Sequence, residues 1–252
     1  MPHPSVRVEP GPASFRRVRL DRPDRRNALD LGMVRALHAA FTAEPAAPIL
    51  LDSAEPGVFC AGADLTVSDA ERAEISDLLY QCYEVMITRP GPIIAVITGP
   101  AVGGGAQLAG AADLRVAGPD ATFRWTGPPG RALAVGAWLL PSLVGRGRAL
   151  ELTMTGRWVD AAEAERIGLV NRVVPDGELL DAALATAAEI TANSPMGVWM
   201  TKEVAWSQLE VGSLQAGIDL ENRTQILTAF TQDHGEQIAA FLEKRPARYV
   251  NE

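Results

Sequence analysis

The segment that most restricts the fold is GPAVGGGAQLAGAADLRVAG, residues 99–118. It follows the apolar run PIIAVITG, and its three consecutive glycines, Gly103 to Gly105, open a run of small residues with a helical pattern. Glycine loses more conformational entropy on folding than other residues, so three in a row indicate a backbone that must approach something closely. The segment predicts a buried strand, then a helix whose first turn lies against another group.

Short apolar runs alternate with amphipathic segments over the first 175 residues. APILLDSA, GPIIAVITG and DLRVAG read as buried strands, whereas NALDLGMVRALHAAF and residues 69–88 have the apolar spacing of helices. SVRVEP and SFRRVRLDR predict a strand pair near the N-terminus, ATFRW a short strand, and VNRVVP the last strand of the series. The alternation favours an α/β fold with parallel strands joined by right-handed crossovers.

The pattern changes after Asp176, where only helical segments follow: 176–192, 195–209, 213–230 and 235–243. We therefore predict an α/β core over residues 1–175 and a C-terminal helical region over 176–252. The apolar residues of these C-terminal helices have no obvious partner within the chain, which favours a homo-oligomer.

Bulk properties exclude several classes of function. The net charge of −8 disfavours a nucleic-acid-binding protein. The sequence has no apolar run of about 20 residues, the length of a membrane-spanning helix, and no signal peptide. Two cysteines, Cys60 and Cys82, and three histidines without metal-ligand spacing predict no disulfide framework and no metal site. We expect a cytoplasmic protein.

The triple glycine permits two interpretations. It is not a P-loop, which needs a following lysine and Ser/Thr, and its spacing is not that of a dinucleotide-binding fingerprint. It can serve only tight packing of a helix on a strand. However, FCAGADL at 59–65 is a second small-residue loop that follows a buried strand. Two such loops can each aim one backbone N–H at a common point, which is the composition of an oxyanion hole.

Five motifs, in order and spacing, resemble the enoyl-CoA hydratase/isomerase (crotonase) superfamily over nearly the whole chain. They are RPDRRNAL at 22–29, FCAGADL, GPAVGGGAQLAGAADLRVA, TGRWVDAAEAERIGLVNRVV and the closing AFLEKRPARY at 240–249. The resemblance implies a ClpP/crotonase-like spiral of ββα units with a C-terminal helical region that forms trimers, which can pair into hexamers. It also implies an acyl-CoA as ligand and no other cofactor.

The resemblance also assigns roles to individual residues. The N–H groups of Ala63 and Gly104 would bind the thioester carbonyl of the acyl-CoA, and Asp113 would be structural. The coenzyme A channel and its cover, the latter often from a neighbouring subunit, would comprise Arg26, Ala28, Ala61, Asp64, Leu65, Phe241 and Lys244.

The chain departs from the family where hydratases carry two catalytic glutamates. Gln107 stands at the first position and Gly127 at the second. Adding water to a double bond needs a base and an acid, and an amide is neither near pH 7. This pattern resembles a non-catalytic branch found in mycolate-making bacteria, which carries acyl-CoA to fatty-acid elongation.

We therefore expect an acyl-CoA-binding protein with little or no hydratase activity. The apolar segment around Trp125 and Trp138 would be either ordinary core or a dry pocket for the acyl chain. The alternative is a true hydratase or isomerase that recruits an acid from elsewhere, for which Glu84 is the first candidate, or that needs only enolate stabilisation. A third hypothesis is a protein that uses the same fold to bind another ligand.

Overall fold

The computed structural model describes residues 5–11, 14–125 and 135–250 of the 252-residue chain. The strands are β1 (Val6–Pro10), β2 (Arg16–Leu20), β3 (Ile49–Ser53), β4 (Ile93–Ile97), β5 (Pro100–Val102), β6 (Leu114–Ala117), β7 (Thr122–Arg124), β8 (Val159–Asp160) and β9 (Arg172–Val173). The helices are α1 (Leu31–Thr42), α2 (Asp69–Thr88), α3 (Gly104–Ala111), α4 (Leu140–Val144), α5 (Arg146–Thr155), α6 (Ala161–Arg166), α7 (Leu179–Thr191), α8 (Pro195–Ser207), α9 (Leu214–Ala229) and α10 (Gln232–Glu243).

The larger sheet of the described chain has six strands in the order β1-β2-β3-β4-β6-β9. The strands β2, β3, β4, β6 and β9 pair in parallel, and β1 pairs antiparallel with β2. The predicted N-terminal strand pair and the predicted parallel core are therefore both present.

Alternation of side chains explains why β3 and β4 read as unbroken apolar runs. Ile49 and Leu51 belong to the core that includes residues of α1 and α2, whereas Leu50 belongs to a second cluster on the opposite face. In β4, Ile93 and Ile94 divide in the same way. Both faces of these strands are covered, as is usual for parallel sheets.

A second, three-stranded sheet has the order β5-β7-β8. It is parallel between β5 and β7 and antiparallel between β7 and β8. The strand β5 was not predicted, because three residues are too few for a periodic signal. This small sheet holds the start of α3, since β5 runs directly into the triple glycine.

The C-terminal helices fall where the sequence pattern put them. The first of them, α7, covers one face of the larger sheet, where Leu179, Ala183 and Ala187 pack with Leu50 and Ile94. The domain boundary at 175/176 stays a prediction.

The helix α8 is anchored to the core by an ion pair. Lys202 Nζ lies 2.9 Å from Asp113 Oδ2 and 2.8 Å from the carbonyl oxygen of Met86. The same carboxylate oxygen accepts a 2.7 Å hydrogen bond from the Ile93 N–H. Burial lowers the pKa of Lys202. Asp113 thus has structural contacts on β4 and α8, as the sequence resemblance implied.

Within the described ranges, no helix is both long enough and apolar enough to cross a membrane.

Candidate functional site

Two loops predicted to meet do lie side by side. Cys60 forms a parallel bridge with Ala101 of β5, through a 3.0 Å bond from the Cys60 N–H to the Pro100 carbonyl and a 2.9 Å bond from the Val102 N–H to the Cys60 carbonyl. Ala63 follows Cys60 by three residues, as Gly104 follows Ala101 by three. The bridge brings the two loops together, and a Cβ on Gly62 would lie 3.7 Å from the Gly104 nitrogen, so Ala63 and Gly104 lie at the same edge of this pair of small-residue loops.

At two of the three positions a different geometric constraint requires glycine. Gly103 has φ +53° and ψ −115°, a backbone conformation that residues with a Cβ rarely adopt. A Cβ on Gly105 would lie 2.5 Å from the carbonyl oxygen of Cys60 and 2.8 Å from its Sγ. The first permits the sharp turn into α3, and the second lets α3 lie against the Cys60 loop. The structure therefore supports the tight-packing interpretation of the triple glycine.

A cavity of about 430 Å³ opens at this edge. Ala63 and Gly104 both line it, and the hydrogen bonds of the described residues use neither of their N–H groups. Gly104 begins α3, whose first N–H groups have no carbonyl one turn earlier and carry the positive end of the helix dipole. Two backbone N–H groups without a hydrogen-bond partner among the described residues thus belong to residues that line one mostly apolar cavity.

Asn27 of the RRNAL segment, which was not identified from the sequence, contacts Phe59 and Cys60 of the loop that leads to Ala63. Asn27 is fully buried with φ +56°; its Oδ1 accepts from the Arg22 N–H at 2.8 Å, and its Nδ2 donates to Ser53 Oγ at 2.8 Å and to the Phe59 carbonyl at 3.0 Å. The Cys60 thiol donates in turn to the Asn27 carbonyl at 3.0 Å. Asparagine is one of the few residues that tolerates a positive φ, which is the signal that could have identified it.

Two titratable side chains near Ala63, those of Asp64 and Cys60, are poorly suited to act as a base or a nucleophile. Asp64 Oδ2 accepts from Arg22 at 2.8 Å, and Oδ1 accepts from the Thr66 N–H at 2.9 Å and hydroxyl at 2.7 Å. The bonds from Thr66 are the main reason that the pKa of Asp64 falls to about 2, so the carboxylate is charged at neutral pH. Burial raises the pKa of the Cys60 thiol to about 12. The predicted contact of Asp64 with coenzyme A stays a prediction.

Gln107 lies one turn into α3, buried, and its Oε1 accepts a 3.1 Å hydrogen bond from Trp138 Nε1. Tyr83 of α2 stacks on Trp138, with ring centroids 5.8 Å apart, and its hydroxyl donates to the Gly104 carbonyl at 3.1 Å. Burial raises the pKa of Tyr83 well above 10, so this hydroxyl stays protonated. Gln107 and Trp138 were singled out from the sequence; their partnership and the role of Tyr83 were not.

The remaining predicted residues fall into three groups. Arg26, Ala61 and Leu65 line the cavity with Ala63 and Gly104. Trp125 is fully buried, and Phe241 and Lys244 lie exposed at the end of α10. Ala28, like Trp125, Phe241 and Lys244, is not among the cavity-lining residues. Gly127 lies outside the described residues.

Among the cavity-lining side chains that were not predicted, three carry a charge or an aromatic ring. Trp158 is half exposed, and the guanidinium carbon of Arg124 lies 5.5 Å from its ring centroid, within cation–π range. Arg124 is also held by a 2.8 Å bond from its Nε to the Gly156 carbonyl. Arg72 reaches the same cavity from the start of α2. Isolated residues far apart in sequence leave no local pattern by which they could be recognised.

Carboxylates are absent from the described residues that line this cavity. Glu84, the candidate for a recruited acid, is exposed on α2.

Comparison with known proteins gives a consistent result. The family model described as enoyl-CoA hydratase/isomerase matches residues 11–252. A probable mitochondrial enoyl-CoA hydratase 2 of Arabidopsis thaliana is 37% identical over 246 residues, which cover 92% of this chain and 80% of that protein. A putative enoyl-CoA hydratase/isomerase of Bacillus subtilis is also 37% identical over 246 residues, covering 92% of this chain and 93% of the relative.

Solved structures agree in architecture. The enoyl-CoA hydratase from Bacillus anthracis superposes with a TM-score of 0.91 at 31% identity, covering 98% of this chain and all of the other. This similarity confirms the predicted crotonase fold class with its C-terminal helices.

Proposed function

Because the chain belongs to the enoyl-CoA hydratase/isomerase family, we propose that it binds acyl-CoA thioesters and has little or no hydratase activity. The thioester carbonyl oxygen is received by the N–H groups of Ala63 and Gly104. The acyl chain extends into apolar surroundings, and the coenzyme A moiety passes along the loops that carry Arg26, Ala61 and Leu65.

The proposed lack of hydratase activity rests mainly on the residue at position 107. The one side chain of α3 with a polar group is the amide of Gln107, and its oxygen accepts a hydrogen bond from Trp138. A neutral amide neither removes a proton from water nor protonates a carbanion near pH 7. The described lining of the cavity supplies no carboxylate in its place.

The backbone donors are sufficient for binding without catalysis. A carbonyl oxygen that receives two preorganised N–H groups in a water-poor cavity is stabilised whether or not a reaction follows. Ala63 and Gly104 supply these groups from the main chain, so the replacement of a catalytic side chain leaves them in place. Calorimetric titration with acyl-CoAs of increasing chain length tests this, and absence of binding for every length would refute the proposal.

The alternative of a true hydratase or isomerase needs an acid from elsewhere. Glu84 is the candidate that the sequence offered, and its exposure on α2 disfavours it. Asp64 is engaged by Arg22 and Thr66 and is a weaker base than an ordinary carboxylate, because its pKa is lowered to about 2.

We also propose that the protein acts as a homotrimer, the unit from which hexamers can form, in the cytoplasm of a bacterium, in fatty-acid or acyl-CoA metabolism. The support is the exposed apolar surface of the C-terminal helices, in which the most exposed large side chains are Leu214, Leu227, Phe230, Phe241 and Leu242. Phe241 and Lys244 would then cover a site in a neighbouring subunit.

Light scattering at micromolar concentration should give a mass near three times 26.8 kDa, or a multiple of that trimer. The physical reason is that apolar side chains such as Phe230, 85% exposed in the single chain, gain most by burial between copies. Phe230→Asp should dissociate the assembly, whereas Met154→Asp, also at an exposed apolar residue but on α5, should not. A monomeric wild-type protein would contradict the assembly.

A further inference from the structure

Arg124 is the residue of the small sheet that brings a positive charge to the cavity. The strand β5 pairs in parallel with β7, and Val102 lies opposite Arg124. The preceding pair, Ala101 and Phe123, is buried in the core. Successive side chains of a strand point to opposite faces of a sheet. Val102 and Arg124 therefore share the other face, and both of them line the cavity.

Two contacts hold the guanidinium of Arg124 in place. Its Nε donates a 2.8 Å hydrogen bond to the Gly156 carbonyl oxygen, and its central carbon lies 5.5 Å from the ring centroid of Trp158. The antiparallel register of β7 with β8 puts Trp158 opposite Arg124 when it is continued by one residue. Trp158 lines the cavity as well. The two contacts thus fix the charged group at the wall of the cavity.

Most of the hydrogen-bonding capacity of this guanidinium is unused. An arginine has five N–H bonds, and within the described ranges only the Nε–H of Arg124 has an acceptor. The remaining four lie on the two Nη atoms, the end of the planar group that can bind both oxygens of a carboxylate. Carboxylates are absent from the described lining, and residues 126–134 contain no Asp or Glu. A cation in a mostly apolar cavity is unfavourable without a counter-charge, which a ligand anion supplies.

The other two arginines at the cavity differ from Arg124. Arg72 is paired with Asp69, whose Oδ1 lies 3.1 Å from its Nη1. Arg26 is exposed and belongs to the loops along which the coenzyme A moiety is proposed to pass. The chain has a net charge of −8, yet the charged side chains among the described lining residues are all arginines. The cavity therefore attracts anions, although the protein as a whole repels them.

The size of the cavity indicates which part of an acyl-CoA carries the anion. The whole pantetheine arm separates the thioester sulfur from the phosphates of coenzyme A, and a cavity of about 430 Å³ has room for only part of such a ligand. Arg124 lines the same cavity as Ala63 and Gly104, where the thioester carbonyl is proposed to bind. An anion that reaches Arg124 from this thioester therefore belongs to its acyl group.

We propose that Arg124 is a specificity-determining residue that selects acyl groups ending in a carboxylate, an inference that rests on the proposed acyl-CoA binding. The ligands are monothioesters of dicarboxylic acids with coenzyme A. The two Nη groups bind the carboxylate oxygens, while Gly156 and Trp158 keep the guanidinium in place. A monocarboxylic acyl chain leaves the same cation without a counter-charge.

Calorimetric titration of the full chain tests the proposal by comparing each diacid ester with the monoacid ester one carbon longer, which has the same reach. The pairs are malonyl-CoA with butyryl-CoA, glutaryl-CoA with hexanoyl-CoA, and adipyl-CoA with heptanoyl-CoA. Hydrogen bonds to a charged group predict, for the diacid of the right length, a Kd about 10-fold or more below that of its partner. Arg124→Met should abolish this preference. Arg148→Met, at an exposed arginine of α5, removes the same charge and should keep it.

Arg124→Lys distinguishes the planar group from the charge alone. It keeps a cation without the paired Nη groups, so its preference should lie between those of wild type and Arg124→Met. Equal Kd values within every pair in the wild type would overturn the proposal. An equal rise of both Kd values in Arg124→Met, with the wild-type ratio unchanged, would assign the guanidinium to a phosphate of coenzyme A and would also overturn it. If no acyl-CoA binds at all, the proposed function itself fails, which is a different result from binding without preference.

Discussion

Crotonyl-CoA hydration by this protein is expected to be at least about 10⁴-fold slower than by a relative that has both catalytic glutamates. Each positioned acid or base contributes roughly 10² to 10⁴ in rate, and the family resemblance puts Gln107 and Gly127 at the positions of that pair. A spectrophotometric hydration assay measures the rate, and calorimetry with butyryl-CoA on the same preparation shows that the protein is competent to bind.

Gln107→Glu alone should recover little of this rate, because one carboxylate without its partner does not both deliver water and protonate carbon efficiently. Wild-type turnover within tenfold of a two-glutamate relative would contradict the account and would mean that an acid is recruited from elsewhere. Glu84→Gln would then be the first variant to examine, and under the present account it changes nothing, because Glu84 is exposed on α2.

Gly105→Ala should damage both stability and acyl-CoA binding. The added Cβ would lie 2.5 Å from the Cys60 carbonyl oxygen and 2.6 Å from its Cβ, so α3 and the Cys60 loop must separate. Overpacking of this kind costs about 1–3 kcal/mol in free energy of unfolding. The separation also moves Gly104 relative to Ala63, and we expect a Kd for butyryl-CoA raised by about tenfold or more, since placement of both donors within a narrow distance range is needed.

A matched glycine in α5 provides the control. Gly147 is exposed, and a Cβ there would have no neighbour within 4 Å. Gly147→Ala should leave the Kd unchanged and should raise the free energy of unfolding by up to about 1 kcal/mol, because alanine is the better helix former. Denaturant unfolding and calorimetry measure both quantities. Equal effects of the two substitutions would show that the contact between Gly105 and Cys60 has no special role.

Periodic features of the fold could be predicted from the sequence, and short features could not. The helix at Asp69–Thr88 and the strands Ile49–Ser53 and Ile93–Ile97 carry several apolar residues each, and they occur where predicted. The strand Pro100–Val102 has three residues, and its existence depends on pairing with Thr122–Arg124 rather than on any local preference. Tertiary context decides such elements.

In the candidate site too, the residues that lie in sequence motifs could be predicted, and those brought together only by the fold could not. Ala63, Gly104 and Gln107 belong to motifs that are contiguous in sequence, so the resemblance could assign a role to each of them. Tyr83 and Trp138 act through a stack and two hydrogen bonds that link α2, α3 and the segment before α4, and no motif joins them. Contacts between distant segments follow from the fold, which is why this part of the site became visible only in three dimensions.

The position of the thioester carbonyl in a complex with butyryl-CoA tests the central claim most directly. A crystal structure of that complex should place the carbonyl oxygen about 3 Å from both the Ala63 and the Gly104 nitrogen atoms, with the Gln107 amide as the nearest polar side chain to C2 and C3. A carbonyl oxygen away from either N–H group, or a carboxylate within hydrogen-bonding distance of C2 or C3, would contradict it.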